Sequence, residues 1–262
     1  MKIFDTHAHY DDEAFDEDRE ELLQKLPAEG IERVVNVGAS LSGCEQTVAL
    51  AEKYDYIYAA VGVHPCDTKE LTEEGFQWLA KQCLHEKCVA VGEIGLDYYW
   101  EEDAKEKERQ KKWFVRQLDL ARSLHKPVVI HSRDAARDTL ELCKENRLDE
   151  IGGVVHCYSY SREMAKEYLD MGMYFGIGGV VTFKNSRKLV EVVDYLPMDR
   201  IVLETDSPYL SPVPFRGKRN SSLNLPYVAQ MIAEIKGVSV EEVCGRTFEN
   251  GLKLYGMGKK EG

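Results

Sequence analysis

The chain alternates between short runs of β-branched and other apolar residues and longer stretches with helical spacing. The short runs cover residues 3–6, 33–37, 57–63, 88–91, 128–130, 153–155, 174–177 and 201–203. Most of them are apolar at successive positions, the pattern of parallel strands covered on both faces. Over residues 106–124, Trp113, Phe114, Leu118, Ala121 and Leu124 form one stripe while Lys107, Glu108, Lys111 and Lys112 face water. Residues 226–235 repeat the pattern with Val228, Ala229, Ile232 and Ile235. Gly30, Gly152 and Gly172 stand between helix and strand, where a glycine ends a helix. Eight strand–helix units in a chain of this length give about 33 residues each, the repeat of a TIM (β/α)8 barrel. The expected fold class is therefore α/β, a TIM barrel forming one domain over 1–262. One connection departs from the rhythm: residues 206–226 hold Pro208, Pro212, Pro214 and Pro226, four of the eight prolines. A long, stiffened loop after the last strand is a place to look for function.

Composition narrows the classes. Hydrophobic residues at 44% and charged residues at 31% exclude a disordered chain. Lys and Arg number 34 against 46 Asp and Glu, a net charge of −12, which speaks against coating nucleic acid or anionic membrane by bulk charge. A local basic site stays compatible with it. The seven cysteines are scattered and include no C-x-x-C pair, which reads as reduced thiols. The N-terminus has no apolar core of signal-peptide length, and the longest apolar stretch, 171–183, contains four glycines and is too short to span a bilayer. The expectation is a cytoplasmic protein without a membrane partner, monomeric or weakly oligomeric.

Five of the seven histidines, His7, His9, His64, His131 and His156, fall at the C-terminal ends of expected strands; His85 and His125 fall in helical segments. In a barrel those strand ends open onto one face, where active sites lie. Single strand-end histidines are ordinarily structural, but five packed on one rim are costly unless something shares them, and a metal does so. His7 and His9 form an H-x-H pair on one strand, so both imidazoles can reach one ion. Asp206 follows the eighth run, which closes against the first, and Glu93 follows the fourth. The arrangement predicts one ion near strands 1 and 8 and another near strands 5 and 6, where His131 and His156 stand, with Glu93 bridging. A buried Glu93–Arg133 pair is the plainer alternative. Two cations about 3.5–4 Å apart share a water, lower its pKa and clamp an oxyanion. Glu93 and Asp206 supply two negative charges against four from two divalent ions, so the pocket favours an anionic substrate.

The chain resembles the TatD family of metal-dependent DNases, within the amidohydrolase-like metal-dependent hydrolases. The motifs carrying the resemblance are Asp5-Thr6-His7-Ala8-His9, Gly62-Val63-His64-Pro65, Gly92-Glu93-Ile94-Gly95-Leu96-Asp97-Tyr98, Pro127-Val128-Val129-Ile130-His131-Ser132-Arg133, His156-Cys157-Tyr158-Ser159, Glu204-Thr205-Asp206-Ser207-Pro208-Tyr209 and Arg216-Gly217-Lys218-Arg219-Asn220. The resemblance implies a TIM barrel with divalent metals on His7, His9, Glu93, His131, His156 and Asp206. It further implies phosphodiester hydrolysis of DNA, in a 3′→5′ exonuclease manner on single-stranded ends. Family members are described as magnesium-dependent, whereas a histidine-rich set suits zinc or manganese. The resemblance places His64 near the substrate phosphate or behind the metal ligands rather than among them. Glu204, two residues before Asp206, faces the barrel interior and orients a ligand or the attacking water, or is a structural acid near His7. Two departures expected in rim loops, Ser221-Ser222 after Asn220 and Tyr160 where many members have glycine, bear on substrate preference.

Substrate contacts are expected from basic residues beyond the strands: Arg133; Lys184, Arg187 and Lys188 after strand 7; Arg216, Lys218 and Arg219 after strand 8. Tyr98, Tyr158, Tyr160 and Phe215 are candidates for base stacking. In the expected mechanism Glu93 bridges the ions, the shared hydroxide attacks phosphorus, Asp206 takes or relays its proton, and Arg133, Lys218 or Arg219 neutralises neighbouring charge. The alternatives are a C–N or ester hydrolase on the same scaffold (a lactonase, cyclic amidase or aminoacyl-tRNA deacylase) and a metal-binding nucleic-acid adaptor without turnover. Many such hydrolases bridge their metals with a carboxylated lysine; Glu93 occupies that place here.

Overall fold

The computed structural model describes residues 1–258; positions 259–262 of the expected domain lie outside the described residues. Eight parallel strands run in chain order around one sheet: β1 (Ile3–Ala8), β2 (Ile31–Val37), β3 (Ile57–Val61), β4 (Cys88–Asp97), β5 (Val128–Arg133), β6 (Gly153–Val155), β7 (Tyr174–Ile177) and β8 (Ile201–Leu203). The ring closes where Ala8 bridges Ser207 and the His7 carbonyl accepts the Asp206 amide at 2.9 Å. Ten α-helices among the described residues cover the outside: α1 (Arg19–Lys25), α2 (Leu41–Lys53), α3 (Glu73–Gln82), α4 (Ala104–Leu124), α5 (Ala136–Glu145), α6 (Leu148–Ile151), α7 (Arg162–Asp170), α8 (Arg187–Tyr195), α9 (Leu225–Lys236) and α10 (Val240–Leu254). The α4 and α9 stripes bury Trp113, Phe114, Leu118, Val228, Ala229 and Ile232 against the barrel. The fold is thus the expected TIM barrel. No helix among the described residues is long and apolar enough to cross a membrane.

Inside the barrel, Phe4, Val35, Val37, Ala60, Ala90, Val129, Val154 and Val202 pack as one apolar plug. Tyr255, just beyond α10, closes its lower end, its ring tilted against Phe4 and its hydroxyl donating to the Thr6 carbonyl at 2.9 Å. The upper end of the same interior is where chemistry stands, because strand side chains alternate with period two. Val129 leads to His131, Val154 to His156, Val202 to Glu204, and Ala60, four positions on, to His64.

Two strands reach that end with a changed phase. In β1, Asp5 pairs with Val34 but Ala8 with Asn36, three steps against two. In β4, Val91 pairs with Val128 and Ile94 with Ile130, again three against two. Each bulge adds one residue, so Phe4 and His7 share the interior, as do Ala90 and Glu93. Bulges beside active sites re-aim side chains in this way. Strand β4 also runs six residues past its expected end at 91, through Gly92 and Gly95. Gly95 has φ +149°, and a Cβ there would overlap the His131 carbonyl oxygen.

Replacing Gly95 by Ala is therefore expected to cost about 2 kcal/mol or more, read as a lower midpoint of thermal or urea unfolding. Gly237→Ala, at a left-handed φ of +65° with open space around it, is expected to cost less, about 1 kcal/mol. Equal effects of the two changes would contradict the close approach of β4 to β5.

Candidate metal centre

Glu93, 3% exposed, stands between two sets of histidines. Its Oε2 lies 3.3 Å from His7 Nε2 and 3.7 Å from His9 Nε2. Its Oε1 lies 2.6 Å from His131 Nδ1 and 2.7 Å from His156 Nε2. Asp206 adds its Oδ1 to the first set, 3.7 Å from His7 and 3.4 Å from His9. All six expected ligands therefore converge, and Glu93 takes the shared place. Arg133 is not its partner.

The donor atoms fit divalent cations. His7 Nε2 and His9 Nε2 face each other at 3.0 Å, and His131 Nδ1 faces His156 Nε2 at 3.2 Å. Opposed imidazole nitrogens need a proton or a cation between them. Metal–nitrogen bonds near 2.1 Å place neighbouring ligand atoms about 3.0–3.5 Å apart, the spacing found here. One group of possible donors is His7, His9 and Glu93, another Glu93, His131 and His156, and a third His7, His156 and Asp206.

The protons now in the site reflect this crowding. Burial opposes charge on His9, but the hydrogen bond to Asp206 and the charge of Glu93 push its pKa up to about 10. His156 rises to about 9 against burial, through Glu93. Burial and the neighbouring His156 charge instead lower His7 to about 4. Burial would raise Glu93, yet His156, His7 and the hydrogen bonds from His131 and His156 hold its carboxyl well below the usual range. Cations entering such a site displace protons, as metal ligands require.

The second ring of contacts holds residues that sequence reasoning missed. Asp97 Oδ2 lies 3.2 Å from His131 Nε2, while its Oδ1 accepts the Tyr99 amide at 2.9 Å. A carboxylate on the far nitrogen fixes ring orientation and tautomer of a liganding histidine. The period-two signal was present, since Asp97 follows Glu93 by four, but the glycines hid it. His9 Nδ1 is held by the Val37 carbonyl at 2.7 Å. Asp5 accepts from Ser222 Oγ at 2.6 Å, Thr205 Oγ1 at 2.7 Å and the Thr205 amide at 3.1 Å, tying β1 to the last loop below His7. Ser222 is fully buried in that network, so this departure serves the interior rather than the rim. Tyr160, the other departure, is half-buried and hydrogen-bonded to Ser132 at 2.9 Å.

The other candidates separate clearly. His64 faces the cavity; its Nδ1 accepts the Cys66 amide at 3.2 Å, so Nε2 carries the hydrogen, 3.9 Å from Glu93. Burial and the nearby His131 lower its pKa to about 3, keeping it neutral. Glu204 lies beneath His156, 3.8 Å from its Nδ1, accepting the Cys157 amide at 2.5 Å. Burial raises Glu204 to about 8, and it does not line the cavity. It is thus placed to support His156. Arg133 lines the cavity. Arg219 is committed to Asp18, at 2.5 and 2.7 Å, and to the Ala14 carbonyl. Arg216 lies over Phe183, and neither it nor exposed Lys218 lines the cavity. Tyr158 is 2% exposed and bonded to the Ser161 carbonyl. Tyr98 is bonded to Asp138, and Phe215 packs on Tyr227. Arg219, Tyr158, Tyr98 and Phe215 are thus already paired or packed, while Arg216 and Lys218 stand exposed outside the cavity lining. His85 and His125 fall just past α3 and α4 rather than within them, away from the cavity.

The cavity has a volume of about 750 Å³ and opens at the strand ends between Ala39, Val180, Trp100 and Leu210. A second cavity of about 710 Å³ opens at the opposite end of the barrel, among Tyr58, Lys126 and Tyr174, away from both histidine sets. Asp97→Asn is expected to weaken divalent-cation binding by about 10–100-fold, measured by titration calorimetry with Mn²⁺. Wild-type affinity in that variant would remove Asp97 from the centre.

Comparison with known proteins agrees with this geometry. Residues 4–256 match the family described as TatD related DNase. The chain is 44% identical over 253 residues to the uncharacterized metal-dependent hydrolase YabD of Bacillus subtilis, covering 97% of this chain and 98% of that one. It is 37% identical over 258 residues to the uncharacterized metal-dependent hydrolase YcfH of Escherichia coli K12, covering 97% and 96%. The crystal structure of YJJV, a TatD homolog from Escherichia coli, superposes with a TM-score of 0.89 at 30% identity, over 97% and 98% of the two chains. Matched over nearly its whole length by sequence and by fold, the chain belongs to the TatD-related DNase family and is a metal-dependent hydrolase.

Proposed function

We propose that the protein hydrolyses DNA phosphodiester bonds, working from single-stranded 3′ ends, with two divalent cations, Mg²⁺, Mn²⁺ or Zn²⁺. The observation that carries this reading is Glu93, with one oxygen turned to His7 and His9 and the other to His131 and His156. Bound there, two cations would supply an activated water and charge to neutralise a phosphate. His7, His9 and Asp206 would hold one, His131 and His156 the other, and Glu93 both.

The chain's own groups then divide the remaining work. His64, neutral and with its hydrogen on Nε2, donates a hydrogen bond into the cavity to a phosphate oxygen. Asp206, beside the His7–His9 pair, accepts the proton lost by the attacking water at its carboxylate. Arg133 supplies positive charge at the mouth, where the next phosphate would lie. A cavity of about 750 Å³ at the ends of the β-strands suits a DNA strand end better than the middle of a duplex. With a net charge of −12, grip on DNA outside the cavity is weak.

Metal-loaded protein incubated with labelled single- and double-stranded oligonucleotides is expected to give a one-nucleotide ladder from the 3′ end of the single strand. Glu93→Ala and Asp206→Asn are expected to lower kcat by at least about a hundredfold. Titration calorimetry of metal-free protein is expected to show two ions per chain. Wild-type nuclease activity in either variant at saturating metal would overturn the assignment. Inactivity on every oligonucleotide, with turnover of lactones or aminoacyl esters, would move the protein to a different hydrolase class.

A further inference from the structure

The mouth of the cavity carries aromatic residues that the metal chemistry does not use. Trp100, in the loop after β4, is 70% exposed and lines the cavity. Its neighbour Tyr99, 50% exposed, meets it edge to face at 4.5 Å between ring centroids. The Arg133 guanidinium lies 3.8 Å from the Tyr99 ring centroid and 5.7 Å from that of Trp100. Arg133 and Tyr99 thereby buttress the indole and leave most of it open to solvent. β4 and β8 stand four places apart in the ring, so the loop after β8 faces Trp100 across the mouth. From that loop Tyr209 and Leu210, 54% and 37% exposed, also line the cavity. Tyr209 is anchored through its hydroxyl to Asp12 Oδ2 at 2.8 Å.

Large apolar side chains held in water beside a reactive centre mark a ligand contact. The partner here must present a flat, apolar face a short distance from an anion that reaches the histidines, and must tolerate a guanidinium alongside. A nucleobase attached to the phosphate being cleaved has those properties, and aromatic stacking does not discriminate among bases. We propose that Trp100, buttressed by Arg133 and Tyr99 and faced by Tyr209, forms a stacking subsite for the terminal nucleobase. A base paired within a duplex cannot enter it, so the subsite selects frayed or single-stranded ends. This rests on the phosphodiesterase reading above and adds to it the group that recognises the unpaired base.

Two measurements on the metal-loaded protein test it. In kinetics, Trp100→Ala is expected to raise KM for a single-stranded oligonucleotide about tenfold or more, with Trp100→Phe retaining most of the affinity. An abasic 3′ residue should impose a similar loss on the wild type and little further loss on Trp100→Ala, because both changes remove the same contact. In fluorescence, dAMP is expected to quench wild-type emission, while deoxyribose 5-phosphate does not. The quench should vanish in Trp100→Phe, which keeps half-buried Trp78 and buried Trp113 as emitters. An unchanged KM in Trp100→Ala, or additive losses from the abasic end and the variant, would overturn the subsite while leaving the nuclease reading intact. Should the wild type cleave no phosphodiester at all, the dAMP titration still decides: absence of Trp100-dependent quenching overturns the subsite. A Trp100→Ala change in oligomeric state with unaltered dAMP binding would likewise overturn it and assign the residue to contact between copies.

Discussion

The site depends on one buried carboxylate with two different faces. Glu93 can turn one oxygen toward His7 and His9 and the other toward His131 and His156 only if its Cα stands on the barrel axis side of β4. That position is set by the extra residue between Val91 and Ile94, and the matching extra residue in β1 brings His7 to meet it. Without these two bulges the alternation begun by Phe4 and Ala90 would turn both side chains outward. The continuation of β4 through Gly95, pressed against the His131 carbonyl, then carries Asp97 to the far side of the His131 ring.

Charge follows from the same packing. Several carboxylates (Asp5, Glu93, Asp97, Glu204 and Asp206) sit within or just beneath a ring of imidazoles, and burial treats them differently. Glu93 and Asp206 face histidines and stay ionised. Burial dominates at Asp5 and Glu204, raising them to about 6 and 8. The first pair is suited to cations; the second pair braces the strands that carry the ligands. An acidic chain can therefore hold an anion-accepting centre, because the charge that matters is that of a few desolvated groups, whereas the −12 is spread over solvated surface and screened.

The barrel and the six converging side chains were legible because both rest on local regularities: apolar runs at a steady repeat, and histidines or acids at the ends of those runs. The substrate-facing residues were far less so. Arg219 looked like a phosphate contact until Asp18, two hundred residues away in the chain, proved to hold it. Tyr158 looked available for stacking but is enclosed beside Tyr168 and Phe175. Ser222 read as a change at the rim and is instead the hydroxyl that satisfies buried Asp5. Exposure and pairing of this kind are properties of distant contacts, which leave no periodic trace.

The sequence by itself determined the architecture, the family resemblance and which six side chains meet, since the C-terminal ends of all the strands of a barrel open onto one rim. Only the tertiary structure decided how they meet. Strand bulges, the cramped backbone at Gly95, the brace of Asp97 on His131 and the open face of Trp100 arise from the fit of one strand or loop against another. Their physical origin is register and excluded volume between segments far apart in the chain.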